Sequence, residues 1–126
     1  MPVIKEKKIA VLGLGYVGLP LAVGLSSSYR IIGFDISLNR ISQLIKGIDE
    51  TLEIEKEKLK NCLNRNLYLT NKFEDISDCN IFIATVPTPI TKNKKPDFAP
   101  LKNVCKTISK VLKKGDIVVF ESTVYP

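Results

Sequence analysis

Apolar residues fall along this chain in short unbroken runs, separated by segments of helical spacing or by clusters of Gly, Pro, Asn and Asp. Unbroken runs mark strands buried on both faces, and their alternation with periodic segments predicts repeated strand and helix units. The first run is Lys8–Leu12. Tyr16–Ser26 then carries Val17, Leu21 and Leu25 at fourfold spacing and predicts a helix, with Pro20 near the first turn, where a missing N–H costs little. Ile31–Asp35 predicts a second strand. Ser37 offers an N-cap for a helix through Ile41, Leu44 and Ile45, which Gly47 can end. Glu53–Leu63 predicts a further helix with Leu59, Cys62 and Leu63 facing inward.

The second half continues the pattern. Leu67–Thr70 is a weak third strand, Glu74–Cys79 a short helix at best, and Ile81–Val86 a strongly apolar fourth strand. "PTPITKNKKPDFAP", Pro87 to Pro100, carries four prolines and reads as a loop. Leu101–Leu112 is helical, with Val104, Ile108, Val111 and Leu112 on one face, and Ile117–Glu121 closes as a fifth strand. Apolar strands separated by helices predict an α/β fold of the Rossmann type: a doubly wound parallel sheet of five strands, which right-handed crossovers order as 3-2-1-4-5. There is no internal repeat.

Composition fits one such domain over residues 1–126, with 44% hydrophobic and 25% charged positions. The apolar run from Ile9 to Leu25 is broken by Gly13, Gly15, Gly18 and Pro20, so no membrane span is expected. Cys62, Cys79 and Cys105 are odd in number and lack CxxC spacing, which argues against disulfides or a zinc site. They read as small buried hydrophobes of a protein in a reducing, cytoplasmic compartment. The net charge of +6 comes from scattered lysines alternating with glutamates or lying in loops, without interleaved aromatics. That is the pattern of a solvated surface rather than a nucleic-acid site.

The glycines change the picture. Four of the chain's seven fall between Ile9 and Leu25, although each costs a helix about 0.5–1 kcal/mol relative to alanine. Gly13, Gly15 and Gly18 form GxGxxG where the first strand meets the first helix, and Asp35 ends the second strand 17 residues beyond Gly18. These are the parts of a dinucleotide-binding unit. Gly13 permits the tight turn, Gly15 lets a pyrophosphate reach the backbone, and Gly18 lets the helix pack closely on the sheet. The helix N-terminus then offers unpaired N–H groups and partial positive charge to the phosphates. A carboxylate at Asp35 accepts hydrogen bonds from ribose hydroxyls and repels a 2′-phosphate, which favours NAD over NADP. Arg40 leaves three readings open: a partner for that phosphate, a planar group against adenine, or a charge on the helix surface.

"GLGYVGLPLA", "GFDI" with Arg40, "VPTP" and "ESTVYP" together resemble the UDP-glucose/GDP-mannose 6-dehydrogenase family, and among its branches the one acting on UDP-N-acetylhexosamines. The resemblance runs over nearly the whole chain, and the last two motifs make it specific. It implies that Tyr16 and Val17 contribute to the dinucleotide turn and that Asp35 and Arg40 hold the adenosine. Thr88 of "VPTP" and Thr123 of "ESTVYP" would then line the nicotinamide side, with Val86, Pro87 and Glu121 counted among the cofactor-binding residues, Glu121 as a strand residue open to either face. From the residues alone, Thr88 reads equally as a cap on a proline-rich loop, and Glu121 and Thr123 as a strand-end turn.

The family's reaction, as the resemblance implies it, oxidises the C6 hydroxymethyl of a UDP-sugar to a carboxylate with two NAD. A cysteine traps the aldehyde, and a thioester is then opened by water. The substrate-binding segment and that cysteine are expected beyond Pro126, so the chain is expected to be the N-terminal part of a longer, homodimeric enzyme and to hold no catalytic residue or metal itself. Two other classes share part of the pattern: the cofactor half of a hydroxyacid or 6-phosphogluconate type dehydrogenase, and a non-catalytic dinucleotide-sensing module.

Overall fold

The structure, a computed structural model, describes residues 7–86 and 91–121. The chain runs β1 (Ile9–Leu12), α1 (Gly18–Leu25), β2 (Ile31–Phe34), α2 (Leu38–Ile45), α3 (Lys56–Leu63), β3 (Leu67–Thr70), a 3₁₀ turn (Phe73–Ile76), β4 (Ile81–Ala84), α4 (Ala99–Ser109) and β5 (Ile117–Phe120). The five strands form one sheet in the order β3-β2-β1-β4-β5, and every pairing is parallel. Both the order and the fold class are those the apolar runs predict.

The central strand explains why its sequence lacks polar alternation. Ile9 and Val11 point to one face and join Leu19, Ala22, Val23, Ile41, Leu44 and Leu59 from the first three helices. Ala10 and Leu12 point to the other and join Ile76, Val104 and Ile108 from the 3₁₀ turn and α4. All four residues of β1 are buried because successive side chains alternate between two covered faces.

Element ends differ from expectation for local reasons. The fully buried face of α1 is Gly18, Leu19, Ala22 and Val23; of the Val17, Leu21 and Leu25 series, Leu25 packs partly buried against the core and Val17 is exposed. The helix starts only at Gly18, so Val17 is its N-cap and is half exposed. The α3 helix starts at Lys56 rather than Glu53: Glu55 is its extended N-cap, and the N–H groups of Glu53 and Ile54 before it donate to the Asp49 carboxylate at 2.9 and 3.1 Å. Beyond the prolines, α4 begins at Ala99 and takes Pro100 into its first turn, where proline is well suited. It ends at Ser109, leaving Val111 buried past the helix and Leu112 exposed. The expected helix over Glu74–Cys79 is the 3₁₀ turn. At the sheet edge, β5 is only partly covered, with Ile117 and Phe120 exposed. Of the three cysteines only Cys79 is buried; Cys62 is half-buried and Cys105 exposed on the outer side of α4.

Candidate functional site at the carboxyl edge of the sheet

Parallel register aligns the strand ends. Leu12 is level with Phe34 and Ala84, and Ala84 with Phe120, so the next residues, Gly13, Asp35, Thr85 and Glu121, leave the sheet along one edge. Gly13 turns with φ of +97°, a left-handed value open to glycine, while its N–H donates to the Phe34 carbonyl at 2.8 Å. From β4, the Thr85 hydroxyl donates at 2.6 Å to the Gly13 carbonyl, with the Leu12 carbonyl at 3.1 Å. The turn is therefore clamped from strands on both sides.

Gly18 brings α1 onto this clamp. A Cβ there would lie 1.6 Å from the Gly13 carbonyl oxygen and 2.3 Å from the Thr85 hydroxyl, so no side chain fits. Gly15 is the opposite case. A Cβ at Gly15 would meet nothing within 4 Å, so the space beside its backbone is clear. Among the described residues, no carbonyl accepts from the N–H groups of Gly15, Tyr16 or Val17. Clear space beside unpaired N–H groups at a helix entrance is the setting that accepts phosphate. Tyr16, next in the turn, is 69% exposed.

Leu14, inside the turn, ties the acid and the arginine together. Its N–H donates to Asp35 Oδ2 at 3.0 Å, and its carbonyl accepts from Arg40 Nε at 2.8 Å. Asp35 Oδ1 also accepts from the Ser37 N–H at 2.9 Å, which orients the carboxylate at the end of β2. Arg40 is not a surface charge. Its side chain is 13% exposed, and Nη1 pairs at 2.9 Å with Asp49, whose own side chain is 1% exposed. The remaining nitrogen, Nη2, is buried without a partner among the described residues.

Asp49 organises the loop between α2 and α3. It accepts from the Thr51 hydroxyl and N–H and from the Glu53 and Ile54 N–H groups, besides Arg40. Burial pushes its pKa up, but the Thr51 hydroxyl, the Ile54 N–H, Arg40 and the Thr51 N–H together hold it below the ordinary 3.8. The same loop carries Leu52 at φ 57°, a strained value for leucine that these bonds sustain.

Gly13, Gly15, Tyr16, Val17, Gly18, Asp35 and Arg40 thus gather at one end of β1 and β2. Val86 neighbours Gly13, within 3.2 Å of where a Cβ on that glycine would be. Glu121 lies farther along the edge, its N–H donating to the Ala84 carbonyl at 2.8 Å. Pro87, Thr88 and Thr123 lie outside the described residues. Sequence reasoning missed Thr85 and Asp49. A hydroxyl directly after an apolar strand was a faint signal for the first. For the second it was Asp-x-Thr after a helix-ending glycine, a pattern that caps its own turn.

The fold agrees with that of the proteins this chain resembles. Residues 7–126 match the sequence model of the UDP-glucose/GDP-mannose dehydrogenase family, NAD binding domain. The chain is 52% identical over 123 residues to a UDP-N-acetyl-D-glucosamine 6-dehydrogenase of Pseudomonas aeruginosa, covering 98% of this chain and 29% of the relative. It superimposes on a UDP-D-ManNAc dehydrogenase from Pyrococcus horikoshii with a TM-score of 0.87 at 36% identity, over 94% of this chain and 29% of that one. A GDP-mannose dehydrogenase of Pseudomonas aeruginosa, solved as a ternary complex, gives 0.83 at 30% identity, over 94% and 29% of the two chains. The chain spans under a third of the length of these relatives.

Proposed function

Since this chain belongs to the UDP-glucose/GDP-mannose dehydrogenase family, as its NAD-binding domain, we propose that it is the cofactor-holding part of an enzyme that oxidises C6 of a UDP-N-acetylhexosamine to a carboxylate. NAD supplies the oxidising equivalents when bound. The observation that carries the placement is the clear space beside Gly15, next to the unpaired N–H groups at the entrance to α1. There the backbone of Gly15, Tyr16 and Val17 receives the pyrophosphate, and Asp35 takes the adenosine ribose hydroxyls. Arg40, held through Nε on the Leu14 carbonyl inside the turn, borders the adenosine end with its planar guanidinium. Val86, Pro87, Thr88, Glu121 and Thr123 serve the nicotinamide end, and the catalytic cysteine belongs to a part of the parent outside residues 1–126.

The choice of a UDP-N-acetylhexosamine follows the relatives, and a role in polysaccharide precursor synthesis goes with it. The three free cysteines favour a cytoplasmic setting. Among the described residues no helix is long and apolar enough to cross a membrane. A homodimeric parent rests on the family resemblance and is checked by light scattering of the parent.

Calorimetric titration of the chain with NAD and NADP tests the cofactor site. NAD is expected to bind the more tightly, and Gly15→Val is expected to abolish binding while leaving the circular dichroism spectrum unchanged. Unaltered binding in Gly15→Val removes the glycine turn from the site. For the substrate, the parent enzyme is assayed with UDP-N-acetylglucosamine, UDP-N-acetylgalactosamine, UDP-glucose and GDP-mannose. Preference for either of the last two rejects the hexosamine assignment, and NAD binding without any turnover points to a sensing module.

A further inference from the structure

An arginine five residues past the acid that ends β2 is a natural receptor for a 2′-phosphate, yet here it is already engaged. Nε is taken by the Leu14 carbonyl and Nη1 by Asp49, in an ion pair with both side chains largely buried. We propose that Asp49 is a cofactor-specificity residue that acts through Arg40. By neutralising and holding this guanidinium, it denies a 2′-phosphate its cation and keeps the site for NAD. The inference rests on the dinucleotide reading above and deepens it.

The geometry sets Asp35 and Arg40 on the same residue, since Asp35 holds the Leu14 N–H and Arg40 the Leu14 carbonyl. A ribose bound at Asp35 therefore has Arg40 close by. A free guanidinium there would present a two-pronged donor to a phosphate. In this chain one prong is closed by Asp49, and only Nη2 is unpaired. Because Nη2 is itself buried, a 2′-phosphate on this ribose meets no free cationic prong. Asp49 is well placed to keep this state because four donors besides Arg40, from Thr51, Glu53 and Ile54, fix its carboxylate. It is a positioning residue, acting nine positions away from the arginine it holds.

The test is the ratio of the NADP and NAD dissociation constants for the 126-residue chain, measured by calorimetry on wild type, Asp49→Asn and Arg40→Lys. Asp49→Asn should lower the preference for NAD by roughly fivefold or more, mainly through tighter NADP binding, because a released charge regains a charge-assisted contact. Arg40→Lys keeps a cation that cannot span both acceptors, so it should narrow the gap in the same direction, and it serves if Asp49→Asn fails to fold. In an Arg40→Gln background the effect of Asp49→Asn should vanish. Equal weakening of both dinucleotides with an unchanged ratio gives Asp49 a purely structural role and overturns the inference. A shifted ratio that persists without Arg40 overturns it as well. Wild-type chain that binds neither dinucleotide overturns the dinucleotide reading itself, whereas wild type that prefers NAD with variants of unchanged ratio overturns only the role of Asp49.

Discussion

The glycines of the turn have opposite duties, and substitution separates them. At Gly18 a Cβ would sit 1.6 Å from the Gly13 carbonyl oxygen, so Gly18→Ala must push α1 off β1. Its expected cost is about 3 kcal/mol or more, at the upper end for overpacking, read as a lowered urea midpoint. Gly15 has no such neighbour, so a side chain there is expected to leave the fold intact and to act on the proposed cofactor site alone. Asp49 supplies a pH dependence of definite sign. Its folded pKa lies below the ordinary 3.8, so its contribution to stability is fully present above that value and is lost as pH falls through the folded pKa. Urea unfolding of wild type and Asp49→Asn should differ by a constant amount above about pH 5 and converge in more acidic solution. A gap that widens on acidification contradicts the bonding described for this carboxylate. The placement of the glycines and Asp35 around one turn was legible in the sequence because it follows from spacing along adjacent strands and a turn. Arg40 stayed ambiguous because a long flexible side chain is placed by its partners, and those are Leu14 and Asp49, on other elements.

At the scale of elements, α2 is the piece most fully written in local sequence. Ser37 Oγ accepts from the Arg40 N–H at 3.1 Å at its start, and Gly47 ends it at φ +83°. There the Gly47 N–H reaches the Leu44 carbonyl and the Ile48 N–H the Gln43 carbonyl, closing the helix in a Schellman motif. Because Arg40 and Asp35 flank this cap, Ser37→Ala should act twice. Stability should fall by about 1 kcal/mol, and NAD binding should weaken modestly as the first turn of α2 frays. Ser37→Asn, which keeps a capping oxygen, is expected to restore most of both. Loss of stability without any change in NAD affinity separates the cap from the site. Where prediction from the sequence failed, the cause was tertiary. Glu53 and Ile54 look helical, yet they belong to the loop folded around the buried Asp49 carboxylate, and the extended Glu55 starts the helix only after them. Val17 fits the apolar spacing of α1 but lies before the helix that the glycine turn sets at Gly18.

Over the whole molecule, the described cysteines lie on other elements than the turn proposed to hold the cofactor. Cys79 precedes β4 and so lies at the amino end of the sheet, across from Gly13 and Asp35. Burial, with the charge of Asp78, pushes its thiol up to about 11, far from a thiolate at neutral pH. Cys62 and Cys105 ride on α3 and α4, and the chain has no histidine to serve as a base. A thiol must be ionised and held against the reacting carbon to capture an aldehyde, and the proximity that makes this fast requires a wall to orient the sugar. The chain by itself is therefore expected to bind NAD without oxidising a nucleotide sugar, whereas the proposed parent enzyme is expected to do both. Incubation with NAD and each of the four nucleotide sugars should give no NADH absorbance above a protein-free control. Turnover that disappears in Cys62→Ser, Cys79→Ser or Cys105→Ser identifies a nucleophile on this chain against the geometry described. Turnover that survives all three means that the oxidation proceeds without a thiol trap, and that these residues alone can orient the sugar.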